Sequence, residues 1–248
     1  MCRFCWRAST PVSLSITLTP DSLLNMPASS SLPSPTPHHD RLRIALDASQ
    51  AFGFFGPGPL DTPLAHAEGF LDVASQEARR LGYASSTAAF LDLGSGGGLP
   101  GLVGIDGLPQ STWVLLDAQA KRVRFLESVV KDWGVEDRVL CVLGRAEEIC
   151  RSGRAGLVDI VVSRGFGPPA VTAECATPFL DVRGLLIVSE PPDSDGSRWS
   201  GVDRSGLGLV MRGVRRSGGF GFAVLQKTSR HAQQFPRTGA LLVKRPAF

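Results

Sequence analysis

The chain contains 248 residues, 43% of them hydrophobic and 20% charged, a composition typical of one globular α/β domain. A chain of this length buries a sizeable core without disulfide or metal cross-links. Glycine or charged residues interrupt the long apolar runs well before the roughly 20 residues that a membrane span requires, so we expect no membrane association. The five cysteines, an odd number, favour reduced thiols and a cytoplasmic location.

The formal net charge of +3 is unevenly distributed along the chain. Residues 196–248 contain ten Lys or Arg residues and a single acid, Asp203, whereas residues 1–195 contain sixteen basic and twenty-two acidic residues. A basic C-terminal region on an otherwise acidic chain indicates a surface that contacts a polyanion. The alternative is a solvated face whose charges keep the protein soluble.

Residues 1–40 are rich in serine, proline and threonine, above all between Met26 and Pro37. Such a segment buries too little apolar surface to offset the entropy lost on ordering, so we predict that it is disordered. It also contains a C-x-x-C pair, Cys2 and Cys5, but no second pair stands at zinc-finger spacing, and we expect no metal site. We expect residues 41–248 to form a single domain and the protein to be a monomer.

Two helices are predicted ahead of the first strand, from Arg41 to Ala51 and from Pro63 to Leu81. Five short apolar strands then alternate with helices. The strands are Ala89–Leu93, Thr112–Asp117, Val139–Leu143, Leu157–Ser163 and Leu185–Ser189, and the helices are Ala118–Trp133, Ala146–Arg151 and Pro169–Leu180. This alternation predicts βαβ crossovers and a buried, mostly parallel sheet.

Two further apolar segments, Leu207–Val214 and Phe220–Leu225, flank Ser217-Gly218-Gly219. This pattern predicts a hairpin. We therefore expect the last strand to run antiparallel at one side of the sheet.

The segment Asp92–Gly101 (DLGSGGGLPG) follows the first strand directly, where open α/β sheets bind ligands. The spacing Gly94-x-Gly96-x-Gly98, with Asp92 just inside the strand, suits S-adenosylmethionine. The spacing Gly96-x-Gly98-x-x-Gly101 formally matches the dinucleotide fingerprint. The dinucleotide register begins two residues late and contains Pro100, so the position of the loop favours S-adenosylmethionine. A third interpretation is a tight turn that holds no ligand.

Asp117 ends the second strand, 23 residues after Gly94. A carboxylate at this point can accept hydrogen bonds from both hydroxyls of a ribose. Either cofactor carries such a ribose, so Asp117 supports a nucleoside ligand without choosing between the two.

Four runs of sequence together resemble the bacterial 16S ribosomal RNA guanine-N7 methyltransferases, also called glucose-inhibited division protein B. They are Asp92–Gly101, Leu115–Leu126 (LLDAQAKRVRFL), Gly144–Glu148 (GRAEE) and Val161–Pro169 (VVSRGFGPP), and Phe235–Gly239 with Lys244–Pro246 resembles the basic C-terminal end of that family. The resemblance implies a Rossmann-like class I methyltransferase fold: a mostly parallel seven-stranded sheet with the last strand antiparallel. It implies S-adenosylmethionine as the cofactor and 16S ribosomal RNA as the partner.

The same resemblance implies a set of cofactor-binding residues. Gly94 and Leu99 would line the methionine and ribose side, Ala146 and Glu147 would flank the adenine, and Arg164 would border the site. The spacing of the loop adds Gly96 and Gly98 as cofactor-binding candidates. Residues that follow parallel strands emerge on one edge of the sheet, in agreement with this grouping.

Basic residues at two places are candidates for RNA contact. Lys121, Arg122 and Arg124 stand at the start of the helix after the second strand, and Arg237, Lys244 and Arg245 belong to the C-terminal region. Such side chains bind phosphates independently of sequence. Alternatively, Arg122 and Arg124 pair with nearby acids on a solvated helix face.

Methyl transfer to guanine N7 would be a direct in-line displacement, because the N7 lone pair is free and no proton must leave first. We therefore predict no catalytic general base, only the positioning of donor and acceptor. The sequence places none of the four histidines, His38, His39, His66 and His231, near the ligand edge of the sheet.

The chain differs from the family after the fifth strand. The family usually has a Lys-Gly pair there, whereas this chain has Ser189-Glu190-Pro191-Pro192, which we interpret as a turn. Two alternatives to RNA methylation therefore stay open: a small-molecule methyltransferase on the same fold, and a non-catalytic RNA-binding relative.

Overall fold

A computed structural model describes residues 38–153 and 156–248. The predicted disorder of residues 1–40 lies outside this part of the chain except at its end, where a helix already begins at His38. The C-x-x-C pair of Cys2 and Cys5 also lies outside the described residues.

The described chain alternates helices and strands in the predicted order. The helices are α1 (His38–Ala51), α2 (Asp61–Arg80), α3 (Gly101–Gly107), α4 (Ala120–Asp132), α5 (Ala146–Arg151), α6 (Pro169–Ala176) and α7 (Ala240–Lys244). The strands are β1 (Ala89–Leu93), β2 (Thr112–Asp117), β3 (Val139–Leu143), β4 (Val158–Ser163), β5 (Leu180–Glu190), β6 (Leu209–Ser217) and β7 (Phe220–Lys227). The first three strands have the predicted bounds, whereas α3 and α7 were not predicted.

The end of α6 and the start of β5 differ from the prediction. The helix predicted to reach Leu180 is α-helical only to Ala176 and continues as a 3-10 turn over Thr177–Phe179, because Pro178 has no N–H to donate to the next α-helical hydrogen bond. Strand β5 begins at Leu180, five residues earlier than predicted. Its first half contains Asp181 and Arg183, and Arg183 adopts φ +79°, so no apolar run marked this part of the strand.

The seven strands form one sheet in the order β3-β2-β1-β4-β5-β7-β6. Strands β1 to β5 pair in parallel, and β7 runs antiparallel between β5 and β6. The predicted seven-stranded, mostly parallel Rossmann-like sheet with an antiparallel last strand is confirmed, although β7 lies inside the sheet and β6 forms its edge. The strand order reverses between β1 and β4, which opens a crevice at the carboxyl ends of the strands.

Both faces of the sheet are buried. Phe90 of β1 stacks on Trp113 of β2, with ring centroids 4.3 Å apart, and belongs to the core beneath α1, α2, α3 and α4. Leu91 and Leu93 point into the opposite core, beneath α5, α6 and α7. This alternation follows the two-residue period of a strand, and it directs Asp92, between the two leucines, towards the same layer as Phe90.

Candidate functional site

The glycine loop between β1 and α3 needs glycine for its backbone conformation. Gly94, Gly96 and Gly98 have φ angles of +79°, +57° and +108°, a region that other residues adopt at a cost. A Cβ atom on Gly94 would also stand 2.8 Å from the ring of Phe166. The loop is held against β2 by the N–H groups of Gly94 and Ser95, which both donate to the carbonyl of Leu116.

Asp117, at the end of β2, is tied to the same loop. One of its carboxylate oxygens accepts the N–H of Gly96 at 2.9 Å, and the other accepts the N–H of Gln119 at 2.8 Å. The side chain is 6% exposed, with a guanidinium nitrogen of Arg122 at 3.6 Å. A carboxylate oxygen offers two lone pairs, so each oxygen of this oriented group can still accept a ligand hydroxyl.

A cavity of about 230 Å³ opens beside Asp117 at the carboxyl ends of β1, β2 and β3. Four of the predicted cofactor residues line it together: Gly94, Asp117, Ala146 and Glu147. Its remaining walls include Phe166, Val171, Cys175 and Leu242. Burial raises the pKa of the Cys175 thiol to about 12, so this side chain stays protonated and acts as part of the apolar wall.

The lining matches the chemistry of a nucleoside cofactor. It combines a fixed carboxylate, Asp117, for hydroxyl groups, a backbone without a Cβ at Gly94, and apolar walls for a heterocycle. The carboxylate of Glu147 accepts a hydrogen bond from Nε of Arg145 at 2.7 Å, which fixes its orientation at the start of α5.

The other predicted residues of the loop do not line this cavity. Gly98 packs on Leu102, and the Leu99 side chain is 3% exposed and belongs to the core beneath the loop. Gly96 acts through its N–H on Asp117. These residues therefore stabilise the conformation of the loop and do not contact the cavity.

Arg164 follows β4 and is part of a polar cluster behind the glycine loop. Burial lowers its pKa, and the nearby carboxyl of Asp92 opposes that effect. Asp92 is fully buried, which raises its pKa to about 7, while a hydrogen bond from the N–H of Gly101 at 2.9 Å favours the charged form. Its second oxygen has no hydrogen-bond partner among the described residues.

His66 of α2 is the functional candidate that the sequence analysis missed. Its ring lies 4.8 Å from that of Phe220 and 5.4 Å from those of Phe70 and Phe222. Burial, and next the charge of Arg164, lower its pKa to about 4. The prediction that no histidine lies near the ligand edge is wrong, because α2 crosses the sheet and carries His66 to the ends of β4 and β5. The four-residue spacing from Phe70, which places both on the apolar face of α2, was the available signal.

A second cavity, of about 340 Å³, lies at the carboxyl ends of β4 and β5. Its lining includes His66, Phe166, Ser189, Glu190, Arg198 and Trp199. The predicted turn after β5 is confirmed: the N–H of Ser194 donates to the carbonyl of Pro191 at 3.0 Å. The segment 191–204 then forms one wall of this cavity.

Of the three basic residues at the start of α4, Lys121 lies over an aromatic cluster formed by Phe52 and Phe54. Nζ of Lys121 lies 5.5 Å from the ring centroid of Phe52 and 5.4 Å from that of Phe54, and Phe52 is 53% exposed. Arg122 pairs with Asp117, as in the alternative interpretation, whereas Arg124 is exposed.

The C-terminal basic residues divide into two kinds. Lys244 and Arg245 are exposed at the end of α7. Arg237 instead binds Glu174 internally: Nε lies 3.0 and 3.1 Å from the two carboxylate oxygens, and the backbone N–H of Arg237 donates to the same carboxylate. Because Glu174 is 1% exposed and Arg237 20% exposed, the two form an internal ion pair, and a phosphate contact of Arg237 stays a prediction.

Two wider features of the described residues bear on the kind of site. No helix in them is both long and apolar enough to cross a bilayer. Within the same residues, no group of three or more His, Cys, Asp or Glu side chains is arranged to hold a metal ion.

Comparisons with known proteins agree with this geometry. A family model described as rRNA small subunit methyltransferase G matches residues 75–190. The ribosomal RNA small subunit methyltransferase G of Moorella thermoacetica is 32% identical over 167 residues, which cover 64% of this chain and 69% of that protein. The Prochlorococcus marinus protein of the same name is 35% identical over 101 residues, 40% of each chain.

Among solved structures, a cofactor-bound protein from MTB, Rv0187, superimposes with a TM-score of 0.54 over 77% of this chain and 91% of its own. At 19% identity this likeness shows the fold alone. The match to the Moorella protein extends over more than two thirds of that relative, and the residues that the family model matches include the glycine loop and the strand ends described above. The chain therefore belongs to the rRNA small subunit methyltransferase G family.

Proposed function

We propose that this protein transfers the methyl group of S-adenosylmethionine to N7 of a guanine in 16S ribosomal RNA. The observation that carries the proposal is the first cavity, in which Gly94, Asp117, Ala146 and Glu147 meet at the carboxyl ends of three strands. The membership of the family supports the RNA substrate, since the relatives are named for ribosomal RNA.

The cofactor, when bound, supplies a methyl group on a sulfonium, which a lone pair can attack directly. The residues of the chain then have to orient the cofactor, exclude water and hold the acceptor in line. Asp117 is placed to orient a ribose through its hydroxyls. His66 is a poor proton acceptor at neutral pH because its pKa is about 4, which fits a reaction that needs no general base.

The surface beside the glycine loop is suited to single-stranded RNA. Phe52 offers an exposed ring on which a base can stack, and Lys121 and Arg124 offer cations for the flanking phosphates. Lys244 and Arg245 add an exposed basic site at the other end of the chain. These contacts predict an RNA affinity that falls steeply with salt.

One observation favours a small-molecule acceptor as the second candidate function. The buried Trp199, which donates its indole N–H to Glu190, lines the second cavity together with Pro191 and Arg198 of the segment 191–204. An uncharged acceptor bound only in this cavity would be methylated at a rate that does not depend on salt.

Calorimetric titration with S-adenosylhomocysteine tests the cofactor site. The folded protein is expected to bind in the micromolar range, and Asp117→Ala is expected to abolish binding. Asp137→Ala, which removes an exposed carboxylate from the β3 side of the sheet, serves as the control. The absence of binding by the folded protein would contradict the proposal.

Transfer of a radiolabelled methyl group to small-subunit ribosomal RNA that lacks the modification then tests the substrate. Label in RNA, released as 7-methylguanine on hydrolysis, is the expected result. Label at another position, or in metabolites alone, would exclude guanine N7 in ribosomal RNA.

A further inference from the structure

The two cavities at the carboxyl edge of the sheet have a lining residue in common. Phe166, three residues after β4, lines both of them. Its ring stands 2.8 Å from the position of a Cβ on Gly94, so it packs directly against the glycine loop. Molecules that occupy the two cavities would therefore both contact this half-buried residue.

The second cavity combines apolar walls with a few converging polar groups. Phe166, Val188 and Trp199 are apolar, whereas Ser189 and His66 offer polar atoms. This combination is typical of a site for a small planar ligand that is oriented by a few hydrogen bonds. At neutral pH the imidazole of His66 is uncharged, since its pKa is about 4, so it offers one donor and one acceptor.

Glu190 organises the wall of this cavity. One of its carboxylate oxygens accepts the indole N–H of Trp199 at 2.9 Å, and the other accepts the hydroxyl of Ser194 at 2.5 Å. The side chain is 1% exposed, and Nη1 of Arg198 lies 3.7 Å from it. Because Glu190 is buried and already has these partners, it is suited to positioning its neighbours instead of contacting a ligand.

Arg198 is the exposed cation at the rim of the cavity. Its side chain is 45% exposed, and the 3.7 Å separation from Glu190 is too long for a good hydrogen bond. The guanidinium therefore keeps donors free for a phosphate oxygen while Glu190 holds it near the rim.

We propose that the second cavity is the site of the acceptor nucleotide, with the base against Phe166, His66 at its polar edge, and the phosphate at Arg198. Glu190 is a positioning residue that holds Trp199 and Arg198. This inference rests on the proposed function and extends it, because it assigns the residues that receive the guanine. Because Phe166 lines both cavities, the base would lie next to the cofactor site.

Guanosine 5′-monophosphate is the probe for the test. It is titrated by calorimetry into the full-length protein saturated with S-adenosylhomocysteine, and guanosine is titrated in parallel. Arg198→Ala is expected to weaken binding of the monophosphate about tenfold, which corresponds to the loss of one charge-assisted hydrogen bond. The same variant is expected to leave guanosine binding unchanged, because guanosine lacks the phosphate.

Arg43→Ala is the matched control. Arg43 is 48% exposed, close to the 45% of Arg198; it donates to exposed Asp61 at 3.1 Å and lies 3.6 Å from Asp47, and it belongs to α1, outside both cavities. The Arg43→Ala protein is expected to bind guanosine and its monophosphate as the unmodified protein does.

Two substitutions of Glu190 test the positioning role. Glu190→Gln keeps an oxygen for the indole of Trp199 and an amide for Ser194, and it is expected to retain guanosine binding. Glu190→Ala removes the acceptor of both hydrogen bonds and is expected to abolish guanosine binding. Thermal denaturation and S-adenosylhomocysteine titration of both variants show whether each is folded and binds the cofactor normally.

Several outcomes would overturn the inference. The first is that guanosine does not bind at millimolar concentration. The second is that Arg198→Ala weakens the binding of guanosine and of its monophosphate equally. The third is that the Glu190→Ala protein is folded and binds guanosine normally. If ribosomal RNA is methylated but these variants retain normal KM and kcat, the acceptor site fails and the proposed function stands. If guanosine binds as expected and no RNA is methylated, the proposed function fails instead.

Discussion

Substitution of Gly94 with alanine separates the backbone requirement of the glycine loop from its role in cofactor binding. Gly94 has φ +79°, and an alanine in this region costs roughly 1–2 kcal/mol of stability. The added Cβ would stand 2.8 Å from Cδ2 of Phe166, closer than a normal van der Waals contact, so the ring must move. Because Phe166 and Gly94 both line the first cavity, a displaced ring changes the shape of the cofactor site.

Gly134→Ala provides the matched control. Gly134 has φ +63°, and no atom lies within 4 Å of the position of its Cβ. Alanine there carries a similar backbone cost without a steric contact, and Gly134 follows α4 far from both cavities. Gly134→Ala should therefore lose only the backbone contribution, and Gly94→Ala at least as much, with roughly 2–4 °C in Tm lost per kcal/mol for a domain of this size.

Calorimetric titration with S-adenosylhomocysteine distinguishes the two variants. Gly94→Ala is expected to weaken binding by at least about tenfold, equivalent to roughly 1.4 kcal/mol, whereas Gly134→Ala is expected to bind normally. Normal affinity in a folded Gly94→Ala protein would refute the placement of the cofactor beside Gly94. Equal weakening in both variants would attribute the effect to lost stability alone.

Three further predictions concern charged side chains. The folded pKa of Asp92, about 7, lies above the ordinary value of 3.8, so its contribution to stability is full below pH 3.8 and is lost as pH rises through 7. In urea denaturation, Asp92→Asn should therefore gain stability relative to the unmodified protein as pH rises from 5 to 8. A difference in stability that stays constant over this range would contradict the raised pKa. Arg237→Ala leaves Glu174 buried without its cation and should lower the free energy of unfolding by about 3–5 kcal/mol in denaturant. Lys244→Ala removes an exposed side chain and should lower it by under about 0.5 kcal/mol, and equal losses would refute the internal ion pair. Lys121→Ala should reduce the steepness of log RNA affinity against log salt concentration by about one, whereas Lys131→Ala, at the far end of α4, should leave the slope unchanged. An unchanged slope in the Lys121→Ala protein would exclude a phosphate contact at Lys121.

The elements and the first cavity were largely predictable because their signals are local. Apolar runs of five or six residues marked β1, β2 and β3, and the glycines of the loop reflect positive φ angles that other residues avoid. Carboxyl ends of neighbouring parallel strands meet at one edge of a sheet. The meeting of Gly94, Asp117 and Glu147 around one cavity follows from their positions after successive strands.

The second cavity and the internal ion pair depend on contacts between residues that are distant in the chain. His66 reaches the ends of β4 and β5 because α2 packs across the sheet, and Arg237 meets Glu174 although the two are 63 residues apart in the chain. Local periodicity indicates that such side chains lie on a buried face, but it contains no information about which element covers that face. The identity of the neighbour is settled when the helices pack, since burial of a charged or polar side chain is favourable only where a partner completes its hydrogen bonds.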